Sequence, residues 1–271
     1  MNETLKRFLS GVVYVTLLLT ATRTKTSFFI LFGIFMLIAI YEFCQLTKLN
    51  IFFPLLFGCS TYFLVVGQYI TKIDLYLLII TLLVSVKCIF LLFNSKSTIS
   101  QLSKYIFVLG YATLPFIFIA KVPFGESDYN PKIIISIFII IWTNDTFAYL
   151  VGKTIGKHKL FESVSPKKTL EGFIGGFLFS IIAAVLISRY YFNPKVNYQD
   201  KLLFIWTVTA IIISVFSTLG DLIESKFKRI AGVKDSGKIM PGHGGVLDRL
   251  DSIIFVAPFV YLFYKILNHV S

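Results

Sequence analysis

The chain has 271 residues, of which 56% are hydrophobic, 17% aromatic and only 15% charged. A mean hydropathy of +0.80 is more apolar character than one soluble core of this length can hide, which excludes an ordinary water-soluble domain and points to an integral membrane protein. The formal net charge of +12 therefore has to be located relative to the bilayer before it carries meaning.

In chain order, a short apolar stretch near 8–21 follows Lys6 and Arg7 and reads as a first span or as a signal peptide. No A-x-A-type cleavage site follows it, and Arg23 and Lys25 come next, which favours the span. Continuous apolar runs then occupy 28–46, 51–70, 74–93, 132–151, 172–192, 201–219 and 250–267. Each approaches the roughly 20 residues that a membrane-crossing helix needs. Adding 8–21 and a weaker run at 105–120 gives an expected count of about nine helices in an all-α, polytopic membrane fold. Strands are not expected, because the runs are continuous rather than alternating. Cys44, Cys59 and Cys88 lie inside apolar runs without CxxC spacing and read as packing residues, not as a disulfide framework or zinc site.

Residues 1–125 read as a helical scaffold whose loops carry little chemistry, and 126–271 as the catalytic region of one integrated membrane domain. Two long loops, 152–171 and 220–250, are rich in Gly, Lys, Asp and Ser. With the N-terminus inside, the excess of Lys and Arg falls in inside segments, these two above all, so the positive-inside rule puts them at the cytoplasmic face. A phosphate-bearing ligand at the membrane surface explains that charge more simply than nucleic acid, for which no aromatic-basic motif is present.

Three constellations carry chemistry. In WTNDTFAYLVGKTIGK, Asp145 stands inside an apolar run, where a carboxylate is costly, so the face it shares with Tyr149 and Gly152 is expected to look into the protein or a wet cavity, the alternative being a carboxylate solvated near the interface. The GKT of 152–154 is not a P-loop, since Phe147 stands where the first glycine is required. In SPKKTLEGFIGG, Lys167 and Lys168 precede a helix whose N-cap is Thr169, a combination that attracts anions. Gly172, Gly175 and Gly176 are better explained by tight helix packing than by ligand approach.

The densest constellation follows. Asp221, Glu224, Ser225 and Lys228 share a side if the helix continues past Gly220, the bland alternative being a solvated Glu224–Lys228 pair at a helix end. Beyond a glycine-rich stretch, Asp248, Arg249 and Asp251 open the last run, where one of the two aspartates serves equally well as a helix cap. Two hard carboxylates, Asp221 and Asp248, beside basic residues suit Mg²⁺, which binds through one or two carboxylates plus substrate phosphates. His243 lacks a partner at ligand spacing and is better suited to positioning substrate than to a transition metal.

The run SKFKRIAGVKDSGKIMPGHGGVLDRLD, 225–251, resembles the signature of the phosphatidate cytidylyltransferase, or CDP-diacylglycerol synthase, family. NDTFAYLVGKTIGKHKL and SPKKTLEG resemble that family's upstream motifs in the same order, with Leu170 where an aromatic often stands. The resemblance implies an all-helical membrane enzyme, a homodimer, that makes CDP-diacylglycerol and pyrophosphate from phosphatidic acid and CTP; the compact chain and the lack of a transit-peptide pattern fit a bacterial inner membrane. It implies Mg²⁺ on Asp221 and Asp248, with room for a second cation such as K⁺. Lys167, Lys168, Lys228, Arg229 and Lys234 would neutralise phosphates, Ser225 and His243 would hydrogen-bond substrate, and Gly244 and Gly245 would admit the triphosphate. Asp235, Arg249, Asp145 and Tyr149 would complete the substrate cavity. The competing readings are a CTP-dependent polyprenol or lipid kinase and an ion-coupled transporter.

Overall fold

Helix α9, Gln199–Ala231, is the axis on which the second half of the molecule is assembled. The computed structural model describes residues 3–67, 73–94, 98–124, 128–192, 198–242 and 244–270, with side chains described between 5 and 267 of these. Before α9 come α1 (Glu3–Ala21), α2 (Lys25–Thr47), α3 (Phe52–Val66), α4 (Asp74–Phe93), α5 (Gln101–Gly110), α6 (Leu114–Lys121), α7 (Pro131–Ile155) and α8 (Leu170–Leu186). The last helix, α10, runs over Leu247–Val270.

Seven helical segments are long and apolar enough to cross a membrane: Lys25–Thr47, Asp74–Phe93, Gln101–Phe124, Pro131–Ile155, Leu170–Tyr191, Gln199–Ala231 and Leu247–Leu267. The expected nine thus becomes seven among the described residues. Helix α3, at 15 residues, is short for a span, and α1 is not among the seven. The weak run at 105–120 gains length instead, because α5, α6 and a short 3₁₀ turn at Val122–Phe124 together make up Gln101–Phe124. Large side chains face outward, among them Phe90, Phe93 and Leu102 at 71%, 72% and 72% exposure, as lipid contact requires. The chain is an integral membrane protein. Cys44 and Cys88 are buried packing residues, whereas Cys59 is exposed.

The continuous runs are helical, and the two strands among the described residues lie in the connection between α7 and α8. Strands β1 (Lys159–Phe161) and β2 (Ser165–Thr169) pair antiparallel, Lys159 opposite Thr169 and Phe161 opposite Ser165. Thr169 is the expected N-cap of α8, its Oγ1 accepting from Gly172 N at 3.1 Å. Glu171 braces the hairpin, accepting from Lys157 N and His158 N and pairing with His158 Nδ1 at 2.6 Å.

Along the bundle α7 packs on α8, α8 on α9 and α9 on α10. A Cβ on Gly172 would stand 2.6 Å from Ala148 O, and one on Gly176 would stand 2.7 Å from Asn144 O, so α7 and α8 touch backbone to backbone. Packing, not ligand approach, explains these glycines. A buried polar knot reinforces the contact: Asn144 Nδ2 donates to Ser217 Oγ at 3.0 Å, and Ser180 Oγ reaches Asn144 Oδ1 at 3.5 Å, joining α7, α8 and α9. Elsewhere in the bundle Asp74 of α4 pairs with Lys121 of α6, and Tyr261 of α10 donates to the same carboxylate at 3.4 Å.

Replacing Gly172 with Val drives a side chain into the α7 backbone, and overpacking of this kind costs about 1–3 kcal/mol. The variant should unfold at a lower temperature than the parent in detergent, while a Val at the exposed position Leu178 should not.

Candidate active site

The site forms where α9 and α10 pass antiparallel. Gly220 sets their spacing, since a Cβ there would stand 2.6 Å from Asp251 O, and Phe216 stacks on Phe259 at 3.6 Å on one side of it. This register brings Asp221 within electrostatic reach of Asp251, and Lys228, two turns further along α9, against Asp248. The helix continues past Gly220 as its spacing suggests and ends at Gly232, whose φ of +72° closes the C-terminus.

Lys228 is the centre of the arrangement. Its Nζ lies 2.5 Å from Glu224 Oε2 and 2.7 Å from Asp248 Oδ1. Glu224 is 1% exposed, so the solvated helix-end pair that the sequence also allowed is not what forms. Neither oxygen of Glu224 has a hydrogen bond of good geometry, although Oε2 is so close to the ammonium; charge proximity rather than a directed bond balances this carboxylate. Asp248 is fully engaged. Its Oδ2 accepts from Ser236 N, Ser236 Oγ and Gly245 N, each at 2.8 Å, so it ties down the loop ahead of α10 while also meeting Lys228. Gly244, at φ +86°, lies so close that a Cβ would stand 2.5 Å from the same oxygen.

A second charged group sits beside the first. Lys168 of β2 pairs with Asp221 Oδ2 at 2.5 Å, whereas Lys167, the next residue along the strand, points to the exposed side. Asp145, Asp221 and Asp251, from α7, α9 and α10, interact electrostatically with one another and with Lys168, and Arg249 acts on Asp145. A cavity of about 410 Å³ opens alongside, lined by Asp145, Asp248, Arg249 and Asp251 and walled by Ser10, Tyr14 and Val15 of α1 and by Phe138 and Trp142 of α7. Asp145 therefore lines a cavity and is an exposed residue there.

The structure does not bring every expected residue to this place. Tyr149 is 64% exposed and lies away from the cavity, with Lys153 Nζ 5.8 Å from its ring centroid. Arg229, Lys234 and Asp235 are exposed around the loop, and Ser225 is half-buried on α9. The Gly245 N–H is already donated to Asp248. His243 lies outside the described residues.

Several participants were not found from the sequence. Spacing places Glu224 on a shared helix side with Asp221, Ser225 and Lys228 but gives it no role at the site. Asn144 went unremarked beside Asp145. Glu42 of α2 was not singled out, yet it is 2% exposed and accepts from Val246 N at 3.0 Å and Leu247 N at 2.8 Å. A signal existed for it: a carboxylate inside the apolar run 28–46 is costly unless it has partners.

Among the described residues no three His, Cys, Asp or Glu side chains are grouped so as to hold a metal ion. Carboxylates nonetheless gather here with few cations between them, and the side chain of Asp221 is 37% exposed with Lys168 as its one ion-pair partner among the described residues. That donor set fits Mg²⁺, which takes one or two carboxylates and completes its shell with water and phosphate. Asp248 fits on the condition that it exchanges one of its present contacts.

Fold and site together define a polytopic, helical membrane protein with a charged, phosphate-suited site set into the end of its bundle. The chain belongs to the cytidylyltransferase family, whose sequence model matches residues 5–267. It is 50% identical over 123 residues to a phosphatidate cytidylyltransferase of Staphylococcus haemolyticus, and 51% identical over 123 residues to one of Staphylococcus aureus strain COL. Each alignment covers 45% of this chain and 44% of the relative. A Staphylococcus epidermidis protein of the same name is 47% identical over 129 residues, 47% of this chain and 46% of the relative. The chain thus matches less than half the length of these relatives.

Removing the ammonium of Lys228 leaves Glu224 and Asp248 uncompensated in a buried place. Lys228→Met should destabilise the protein by about 3–5 kcal/mol, and Glu224→Gln in the same chain should recover part of that loss. Thermal unfolding of the single and double variants measures both.

Proposed function

We propose that this protein transfers a cytidylyl group from CTP to phosphatidic acid, forming CDP-diacylglycerol and releasing pyrophosphate. The observation that carries the reading is the meeting of Asp145, Asp221, Asp248 and Asp251 with Lys168, Lys228 and Arg249 beside a cavity among apolar helices. A lipid with a phosphate head and a nucleoside triphosphate both find suitable surroundings there, and the family membership supports the nucleotide.

In this reaction an oxygen of the lipid phosphate attacks the α-phosphorus of CTP. The new P–O bond forms as the bond from the α-phosphorus to the oxygen bridging to the β-phosphorus breaks, and pyrophosphate leaves with that electron pair. Two anions must meet, so lowering their repulsion and fixing their approach are the main demands on the protein. Lys168 and Arg249, the cations beside the cavity, meet the first. Lys228 is committed to Glu224 and Asp248, and its part is to hold Asp248 in place. Ser225 and His243 would hydrogen-bond substrate oxygens, and Gly244 would let the triphosphate approach the main chain. Mg²⁺ held by Asp221 and Asp248, together with a second cation such as K⁺, would neutralise charge on the triphosphate and the departing pyrophosphate.

The site is assigned to the cytoplasmic face of a bacterial inner membrane because the loops around it hold most of the inside basic residues and the relatives named above are bacterial. A homodimer rests on the family resemblance alone.

The test uses purified protein, phosphatidic acid, Mg²⁺ and CTP labelled at the α- or the γ-phosphorus. Label from the α position should enter the lipid, and Asp248→Asn should lower that transfer about 100-fold or more. Lipid labelled from the γ position would establish a lipid kinase instead. Solute uptake by sealed vesicles with no nucleotide turnover would establish a transporter.

A further inference from the structure

Glu42 stands among apolar neighbours in α2, about 190 residues in sequence from the loop it touches, as its contact with Ser236 shows. Its Oε1 accepts from Val246 N at 3.0 Å and its Oε2 from Leu247 N at 2.8 Å. These are donors that the first turn of α10 cannot satisfy within its own helix. A carboxylate from another helix therefore caps α10 and opposes the positive end of its dipole. Ser236 Oγ lies 3.3 Å from Glu42 Oε2 and 2.8 Å from Asp248 Oδ2, a bridge between the two carboxylates. The backbone closes around Glu42, since a Cβ on Gly237 or on Gly245 would clash with its Oε1.

Burying a carboxylate in an apolar segment is costly, and a capping role alone is met by ordinary Ser, Thr or Asp residues next to a helix. Here the carboxylate reaches both ends of the loop at once, Ser236 and Gly237 on one side and Gly245 to Leu247 on the other. We infer that Glu42 is a positioning residue for the reaction: it clamps the 232–246 loop shut and, through Ser236, fixes the orientation of the Asp248 carboxylate. Its effect on turnover rests on the function proposed above; its effect on the loop does not. Aligned reacting groups depend steeply on such fixing, and a displacement of about 1 Å can cost about 100-fold in rate.

Two variants of the full chain in detergent test this. Glu42→Gln keeps the size but replaces one acceptor with a donor facing an N–H, and Ser236→Ala removes only the bridge. Lys234 and Lys238 are exposed in the loop and report its closure through their rate of tryptic cleavage. Glu42→Gln should be cut there about tenfold faster than the parent, with kcat down by about tenfold or more and KM for CTP within about threefold. Ser236→Ala should lower kcat in the same way with a smaller rise in cleavage, which keeps the test open if Glu42→Gln fails to fold. Parental cleavage rate and kcat in both variants overturn the inference. So does a loss of activity that tracks a fall in unfolding temperature, with cleavage rising throughout the chain. If the parent itself makes no CDP-diacylglycerol, the functional proposal fails, and the cleavage rates alone then decide whether Glu42 closes the loop.

Discussion

One ammonium group holds this end of the molecule together. Lys228 stands between Glu224, on its own helix, and Asp248, on the next, in a place where water cannot neutralise either carboxylate. Unpaired charges of this kind cost several kcal/mol each, so α9 and α10 are constrained to the register in which the lysine meets both. Gly220 makes that register sterically possible by letting the α10 backbone pass close to α9. The position of Asp221 beside Asp251, and the opening of the cavity beside Asp145 and Arg249, follow from the same alignment.

The first half of the chain is tied into this arrangement. Phe227 of α9 meets Phe43 of α2 at 4.9 Å, Phe107 of α5 at 5.2 Å and Tyr111 at 5.3 Å between ring centroids. Glu42, the residue before Phe43, supplies the polar counterpart, bonding to the start of α10. Apolar packing thus fixes the distance between α2 and α9, and the hydrogen bonds fix where the loop between α9 and α10 must lie. These contacts tie α2 and α5 of the first half to α9 and α10 of the second.

Much of this was legible in the sequence, for identifiable reasons. The spans were visible because lipid demands continuous apolar runs, and the Thr169 cap because it sits beside a helix start with its acceptor at the usual distance. Asp145 betrayed its cavity by standing where a lipid-facing carboxylate would not be tolerated. Spacing allowed α9 to continue past Gly220, but the Gly- and Lys-rich composition of 220–250 reads as a loop, and its first part, to Ala231, is helical instead. The partners of each charge were not legible, because they depend on the rotation of one helix against another. Sequence spacing pairs Glu224 with Lys228 but gives no hint that Asp248 joins them, and nothing local links Glu42 to Leu247. Tyr149 shows the converse: it shares a helical side with Asp145 by spacing, yet one turn of α7 is enough to carry it out of the cavity.

The contact between α7 and α8 also governs how the molecule can deform. Where Gly172 and Gly176 let two main chains touch, there is no layer of side chains to repack, and sliding one helix along the other would set carbonyl groups against bare backbone. The pair is consequently stiff, and it carries Asp145 on one member and, through the hairpin that leads into the other, Lys168. Helix α1, which contributes Ser10, Tyr14 and Val15 to the cavity, packs chiefly on α2. Mechanical compliance is therefore unevenly distributed, and the charged wall is the part of the cavity that keeps its dimensions.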